Sequence, residues 1–186
     1  MAIKKLYFIA LITPEPVLSE IMTFKQIMAV KFRAPHGLRL PPHITLYLPF
    51  KWNEDREEEL SIALNDFAAD QTSIQMKVKG FGCFPPRVIY VDPINNKALN
   101  LIFNNLIDFL QKEFDIYNFP FSKKAFNPHI SIAHRDLDKN IFPRAWEEFK
   151  NKNYTREFIF SKISLFKHNG RKWEINDEFL LHANMS

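Results

Sequence analysis

Two short segments of the sequence share a pattern of residue types that could do chemistry. Each contains proline, histidine, an aliphatic residue and then a hydroxyl residue: PPHITLYL at 41–48 and NPHISIAH at 127–134. Because side chains on a β-strand alternate between its two faces, His43 would share a face with Thr45, and His129 with Ser131. Each segment therefore predicts a strand that presents an imidazole and a hydroxyl on one surface.

An imidazole pair of this kind suits phosphoryl transfer at an ester, in which one oxygen attacks phosphorus while another leaves. The unperturbed pKa of histidine is about 6.5, so near neutral pH one ring can accept a proton while the other donates one. The hydroxyls of Thr45 and Ser131 would donate hydrogen bonds to the non-bridging oxygens, where negative charge must be held. The pattern predicts general acid-base catalysis by His43 and His129, and this scheme requires no cofactor and no metal ion.

The positions of the apolar residues predict strands and helices that alternate along the whole chain. Thr13 and Pro14 are expected to open the first helix as its cap and first-turn proline, and Asn95 or Asn96 to open the third. Strands are predicted at 6–12, 43–48, 73–79, 87–91, 130–134, about 158–166 and 172–181, and helices over about 17–28, 54–69, 99–110 and around 146–149. This mixture predicts an α+β or α/β fold with two similar lobes. If a pseudo-twofold axis relates the two motif strands, both histidines face one cleft.

Composition limits the class of protein. A length of 186 residues, 46% of them apolar and nineteen of them Phe, predicts one globular domain over 1–186. The net charge of +4 and the sequence pI of about 9.1 suit anionic partners such as RNA ends or nucleotides. The single cysteine, Cys83, fits a reducing compartment, so we expect a cytoplasmic protein, and a monomer. No stretch approaches the roughly 20 apolar residues that cross a bilayer, so no membrane association is expected.

The motifs His43-Ile44-Thr45 and His129-Ile130-Ser131 resemble the paired His-x-Thr/Ser motifs of the two-histidine (2H) phosphoesterase superfamily. The similarity is greatest to its 2'-5' RNA ligase-like members. It extends to the strand at 6–12 before a long helix and to GCFPPRVIY at 82–90, so it covers most of the chain in order.

This resemblance implies an α+β, bilobal, pseudo-twofold fold, in which two antiparallel-sheet lobes with flanking helices surround a central cleft. It implies His43, Thr45, His129 and Ser131 as the catalytic residues, the last with serine where many members have threonine, which keeps the hydroxyl. It also implies hydrolysis or reversible formation of 2',3'-cyclic phosphate or 2'-5' phosphodiester bonds of RNA or nucleotides.

Five further residues are candidates for substrate binding. Arg39 and Lys124 lie shortly before the two motifs, where they would steer anions and contact phosphate, and Phe126 would stack on a base. Arg87 follows two prolines at the start of a predicted strand, where its guanidinium would bind phosphate or lie exposed at the strand edge. Tyr47 shares the predicted face of the first motif, where it would line the cleft or fill its floor.

Two other functions stay open from the residues alone. The same cleft could hold an RNA end or a nucleotide without turning it over, or the substrate could be a small cyclic nucleotide that is not RNA. The remaining histidines indicate no function: His36, His168 and His182 carry no motif. The triplet His134-Arg135-Asp136 echoes a protein kinase sequence, but the chain lacks a glycine-rich loop.

Overall fold

The computed structural model describes residues 3–117 and 126–183. In this part of the chain, two four-stranded antiparallel sheets carry flanking helices, which confirms the predicted α+β, bilobal architecture. Short 3-10 helices span Pro35–Arg39 and Glu54–Arg56. The other elements, in chain order, are β1 (Lys4–Ile12), α1 (Val17–Phe32), β2 (His43–Asn53), α2 (Glu57–Ala69), β3 (Ile74–Phe84), β4 (Val88–Pro93), α3 (Lys97–Phe114), β5 (Ile130–Ala133), α4 (Phe142–Phe149), β6 (Thr155–Phe160), β7 (Lys162–His168) and β8 (Trp173–Leu180).

The two sheets draw their strands from different parts of the chain. The first sheet has the order β2-β1-β7-β8 and so combines the first two strands of the chain with the last two. The second has the order β5-β4-β3-β6 and is built from the four strands between them. The motif strands, β2 and β5, each lie at an edge of their sheet. The two lobes are therefore interleaved along the chain.

Strand β1 is apolar on both faces because both faces are covered. Tyr7, Ile9 and Leu11 belong to the main core, whereas Phe8 packs with Phe166 in a second, smaller cluster on the opposite face. A strand covered on both sides has no reason to alternate between apolar and polar residues. This arrangement accounts for the continuous apolar run at 6–12.

Helix α1 begins at Val17, so the predicted role of Thr13 as its cap is wrong. Thr13 instead donates hydrogen bonds from its backbone N–H and its hydroxyl to the carbonyl oxygen of Pro42, at 3.0 and 3.3 Å. The residue is buried, and these bonds hold the position immediately before His43. Thr13 thus anchors the first motif. By contrast, the expected cap at Asn96 is confirmed, since its side chain accepts from two N–H groups of α3.

The single strand predicted over 158–166 is two strands, β6 and β7, which belong to different sheets. The alternation changes phase between them: Phe158 and Phe160 are buried, then Ser161 and Lys162 are both exposed before Ile163 is buried. The chain crosses from the second sheet to the first at this point. Within the described residues, no helix is long and apolar enough to cross a membrane.

Candidate active site

One cavity of about 370 Å³ is lined by both histidine motifs. His43 and Thr45 reach it from β2, and His129 and Ser131 from the start of β5. The cavity therefore lies where the outer strand of one sheet faces the outer strand of the other. The structure brings together the four residues that the sequence motifs single out.

Both histidine rings are held by the same local hydrogen bond. The Nδ1 atom of His43 lies 2.7 Å from the carbonyl oxygen of Pro41, and that of His129 lies 3.0 Å from the carbonyl oxygen of Asn127. A carbonyl oxygen can only accept, so in each neutral ring Nδ1 carries the proton and donates it. The other nitrogen, Nε2, is then the atom that can exchange a proton with a substrate.

The ring of His43 packs against an aromatic layer on the first sheet. Its centroid lies 5.7 Å from that of Phe8 and 6.1 Å from that of Phe166, and these two phenyl rings stack on each other. Burial lowers the pKa of His43 to about 4; the bond to Pro41 opposes this change, and the positive charge of Lys25 adds to it. His43 is therefore a neutral base at pH 7 in the ligand-free protein.

The ring of His129 packs against a different aromatic pair on the second sheet. Its centroid lies 5.2 Å from that of Phe84, edge to face, and 5.5 Å from that of Tyr90. Glycine at position 82 is required here, because a Cβ would collide with the Tyr90 ring. Burial lowers the pKa of His129, and its bond to Asn127 opposes the change. A bound anion would raise the pKa of either ring and favour its protonated form.

The cavity is strongly basic. None of its lining residues, all drawn from the described part of the chain, is Asp or Glu. Its basic lining residues are Lys25, Arg39, Arg135, Arg171 and Lys172, and its histidines are His36, His43, His129, His134 and His168. A lining that carries positive charge and no carboxylate raises the local concentration of anions, although Lys172 pairs with Glu174 outside the lining. Among the described residues, no three His, Cys, Asp or Glu side chains are grouped so as to hold a metal ion.

Of the residues predicted to bind substrate, Arg39 lines the cavity but Tyr47 does not. Tyr47 is only 2% exposed and donates a hydrogen bond from its hydroxyl to the carbonyl oxygen of Ile116, at 3.1 Å. The pairing of β2 with β1 shifts by one residue between Thr45 and Tyr47. Such a bulge changes which face the following side chains occupy, so Tyr47 points into the core.

The other predicted substrate contacts also differ from expectation. Phe126 stacks on Phe103 of α3, with ring centroids 3.9 Å apart, and packs against the main core instead of lining the cavity. Arg87 lies exposed outside the cavity and donates a hydrogen bond to the carbonyl oxygen of Arg135, at 3.1 Å. It can support that lining residue but does not contact the cavity itself. Lys124 lies outside the described residues.

Several lining residues were not singled out from the sequence. His36, His134 and His168 belong to no repeated pattern, and nothing in the order of residues indicates that they meet. Lys25 did carry a detectable pattern: it falls on the same face of α1 as the buried residues Val17, Ile21, Met28 and Phe32. A charged residue on an otherwise apolar helix face indicates a buried charge that needs an explanation.

A family model described as the 2'-5' RNA ligase superfamily matches residues 14–172, a range that contains both motifs. The chain belongs to the 2'-5' RNA ligase superfamily. This assignment confirms the resemblance to the 2H phosphoesterases, of which the superfamily is part. It makes the protein a phosphoesterase of this superfamily, without fixing its substrate.

Individual relatives of this 2'-5' RNA ligase superfamily member agree with the assignment. A protein of Geobacillus thermodenitrificans that carries the name phosphoesterase is 29% identical over 152 residues, covering 78% of this chain and 82% of the relative. The crystal structure of TT0787 of Thermus thermophilus superposes with a TM-score of 0.67 at 20% identity, covering 97% of this chain and 99% of that one. Apo LigT of E. coli gives 0.66 at 15% identity with the same coverage. LigT complexed with 3'-AMP gives 0.62 at 17% identity, covering 96% and 99%. These structures show the shared fold.

Proposed function

We propose that the protein is a metal-independent phosphoesterase that acts on 2',3'-cyclic phosphate or 2'-5' phosphodiester bonds of RNA or nucleotides. The observation that carries this proposal is the equivalent hydrogen bonding of His43 and His129 at one basic cavity. Each ring keeps Nε2 for proton exchange, and each has a hydroxyl two residues further on. An in-line displacement at phosphorus needs one group that accepts a proton and one that donates a proton, and the two rings would supply these.

Hydrolysis of a cyclic phosphate would then proceed in one displacement. One histidine, neutral, takes a proton from water through Nε2 while the water oxygen bonds to phosphorus. The bond from phosphorus to one ribose oxygen breaks, and the other histidine, protonated, gives its proton to that oxygen. The product is a phosphomonoester, and the reverse reaction uses the same two groups with their roles exchanged. Which ring is the base depends on which ribose oxygen leaves.

Negative charge on the phosphorane-like transition state is held by the rest of the cavity. The hydroxyls of Thr45 and Ser131 donate to the non-bridging oxygens, and the basic lining of the cavity adds positive charge. Binding of the substrate anion also generates the histidine that acts as the general acid. Because it raises the pKa of a nearby ring, a histidine that is neutral in the free protein becomes protonated in the complex.

The comparison with LigT supports a nucleotide substrate. LigT has been crystallised with 3'-AMP, a nucleoside with a phosphate on a ribose oxygen. Opening a 2',3'-cyclic phosphate yields a ligand of that chemical kind. The shared fold supports a ligand of the same chemical kind for this chain.

The test is turnover of a panel of 2',3'-cyclic nucleotides and RNA ending in a cyclic phosphate, with EDTA present. The wild-type protein is expected to open the ring, and His43→Ala and His129→Ala to fail while remaining folded. His182→Ala is the matched control, because this histidine is exposed and does not line the cavity. Activity retained in both motif variants would overturn the proposal. The absence of product from wild type, with salt-dependent binding that survives loss of either histidine, would instead indicate a binding module.

A further inference from the structure

Lys25 is a buried cation without an anionic partner. Its side chain lies in the wall of the cavity, and the residue is only 2% exposed. The ammonium Nζ donates to the carbonyl oxygen of Leu40 at 2.9 Å, and within the described residues no carboxylate comes within ion-pair distance of it. Burying an unpaired charge is costly, and proteins normally pair it. An anion in the cavity would supply the missing partner.

His134 presents a second polar group that lacks a partner. Its Nδ1 atom is buried and has no hydrogen bond within the described part of the chain. Its ring meets that of His36 edge to face, with centroids 4.8 Å apart, and both histidines line the cavity. Buried polar atoms are almost always hydrogen-bonded, so an orphan at the wall of a cavity indicates a site for a ligand.

A close approach of backbone to backbone brings these groups together. A Cβ at Gly37 would lie 2.9 Å from the carbonyl oxygen of Ile132 in β5 and 3.8 Å from Cγ of Lys25. Only glycine allows the 3-10 helix Pro35–Arg39 to lie so near β5. This contact places the ring of His36 against that of His134 and positions Arg39 at the cavity. The carboxylate of Asp136 accepts the N–H of His36 at 2.7 Å and does not line the cavity.

We propose that Lys25, His36, Arg39 and His134 form a second anion subsite, which binds the phosphate that precedes the scissile one in an RNA chain. The inference rests on the proposed function. It specifies the substrate as an RNA end in preference to a cyclic mononucleotide. His134 follows Ser131 by three residues, which is about 10 Å along an extended chain. This distance leaves room for a second phosphate beside the scissile one. Lys25 is close enough to both His43 and His134 for its charge to lower the pKa of each ring.

The subsite can be tested by binding alone. Calorimetry at fixed salt compares adenosine 3'-phosphate with adenosine 3',5'-bisphosphate, which adds one phosphate on the 5' side. We expect wild type to bind the bisphosphate about tenfold more tightly, as a charge-assisted contact to a phosphate would give. In Lys25→Met and in His134→Gln the two ligands should bind within about twofold of each other.

Matched controls separate this contact from general electrostatics. Lys112→Met removes the same charge from an exposed position on α3, and His182→Gln makes the same exchange outside the cavity. Both should keep the tenfold preference. Equal binding of the two ligands by wild type, or an equal loss in Lys112→Met, would overturn the subsite. If Lys25→Met does not fold, His134→Gln at the end of β5 carries the same test.

Turnover distinguishes the subsite from the proposed function. The substrates are a dinucleotide ending in a 2',3'-cyclic phosphate and the same molecule with a neutral methylphosphonate linkage. Wild type should have a kcat/KM about tenfold higher for the charged linkage, and the ratio should fall to about one in Lys25→Met. If both linkages react equally and the bisphosphate is not preferred, the subsite is wrong and the phosphoesterase stands. If neither reacts but the bisphosphate is preferred, the subsite stands and the phosphoesterase is wrong.

Discussion

The two histidine motifs have the same local structure in different surroundings. In each, the ring bonds through Nδ1 to the carbonyl oxygen two residues earlier, and the strand that follows is the outer strand of its sheet. Burial lowers the pKa of His43 to about 4, and the positive charge of buried Lys25 adds to this change. At His129, burial lowers the pKa, and among the described residues no cation adds to this change.

This difference shows that the repeat sets geometry while non-repeated residues set proton affinity. The motif fixes which ring nitrogen donates to the backbone, because that depends on a bond within three residues. The charge beside His43 comes from Lys25 of α1, and the two rings pack against separate aromatic pairs. A site that is nearly symmetric in its hydrogen bonds is therefore asymmetric in its electrostatics.

The largest expected effect tests whether His43 and His129 act together in one catalytic step. His43→Ala and His129→Ala should each lower kcat on a cyclic-phosphate RNA by about 10³-fold or more, and the double variant should lose no more than either single variant. Both protons must move in the same step, so losing one transfer removes the benefit of the other. Steady-state and single-turnover kinetics measure this. A double variant that loses the product of the two single effects would mean that the histidines act independently.

The next effect tests the buried cation on the His43 side. Burial lowers the pKa of Lys25 from 10.5 to about 8, so between these values the unfolded chain binds more protons than the folded one. Wild type should therefore gain stability relative to Lys25→Met as pH rises from 7 to 10.5, by about 3 kcal/mol in the free energy of unfolding. Urea unfolding at the two pH values measures the difference, with Lys112→Met as control. A difference that does not change with pH would show that Lys25 is not a buried, unpaired cation.

The hydroxyls of Thr45 and Ser131 should contribute about equally to kcat. Thr45→Ala and Ser131→Ala should each lower kcat by about 10²-fold, because each removes one donor to the transition-state charge. Thr45→Ser and Ser131→Thr, which keep the hydroxyl, should retain most of the activity. Kinetics on the same cyclic-phosphate RNA compares all four variants. A loss confined to one alanine variant would place the phosphate on one side of the cavity only.

The smallest effect separates the two histidines by pH. Since the pKa of each ring is lowered, kcat/KM for wild type should be greatest below about pH 6.5. Lys25→Met removes a positive charge that acts on His43, so the pKa of His43 should rise by less than about one unit while that of His129 stays unchanged. One limb of the pH profile should move upward and the other should not. Movement of both limbs, or of neither, would contradict the assigned role of Lys25.

The sequence predicted the features that depend on local periodicity. Alternation along 43–48 and 130–134 identified the motif strands, and apolar stripes located the helices. The sequence did not predict outcomes set by distant parts of the chain. Tyr47 lies in the core because β2 bulges against β1, and Phe126 because α3 offers Phe103 as a stacking partner.

Much of the site's electrostatics also arises from contacts distant in sequence. His36 and His134 are 98 positions apart and meet because Gly37 allows a close approach to β5. No periodicity in one sequence encodes such a meeting. Lys25 is the exception, because its place on the buried face of α1 was visible in the spacing of the residues around it. A charge within an apolar stripe and the predicted position of Arg39 were the clues to this side of the cavity that the sequence held.

The interleaved order of the strands also determines when the site is completed during synthesis. Both motifs have left the ribosome once residue 134 has emerged, but the first sheet still lacks β7 and β8 at that point. Phe166, which packs against His43, is on β7. Pairing of strands so far apart in the chain slows folding relative to a protein with local contacts. A nascent chain therefore carries all four motif residues for some time before the aromatic layer beside His43 is complete.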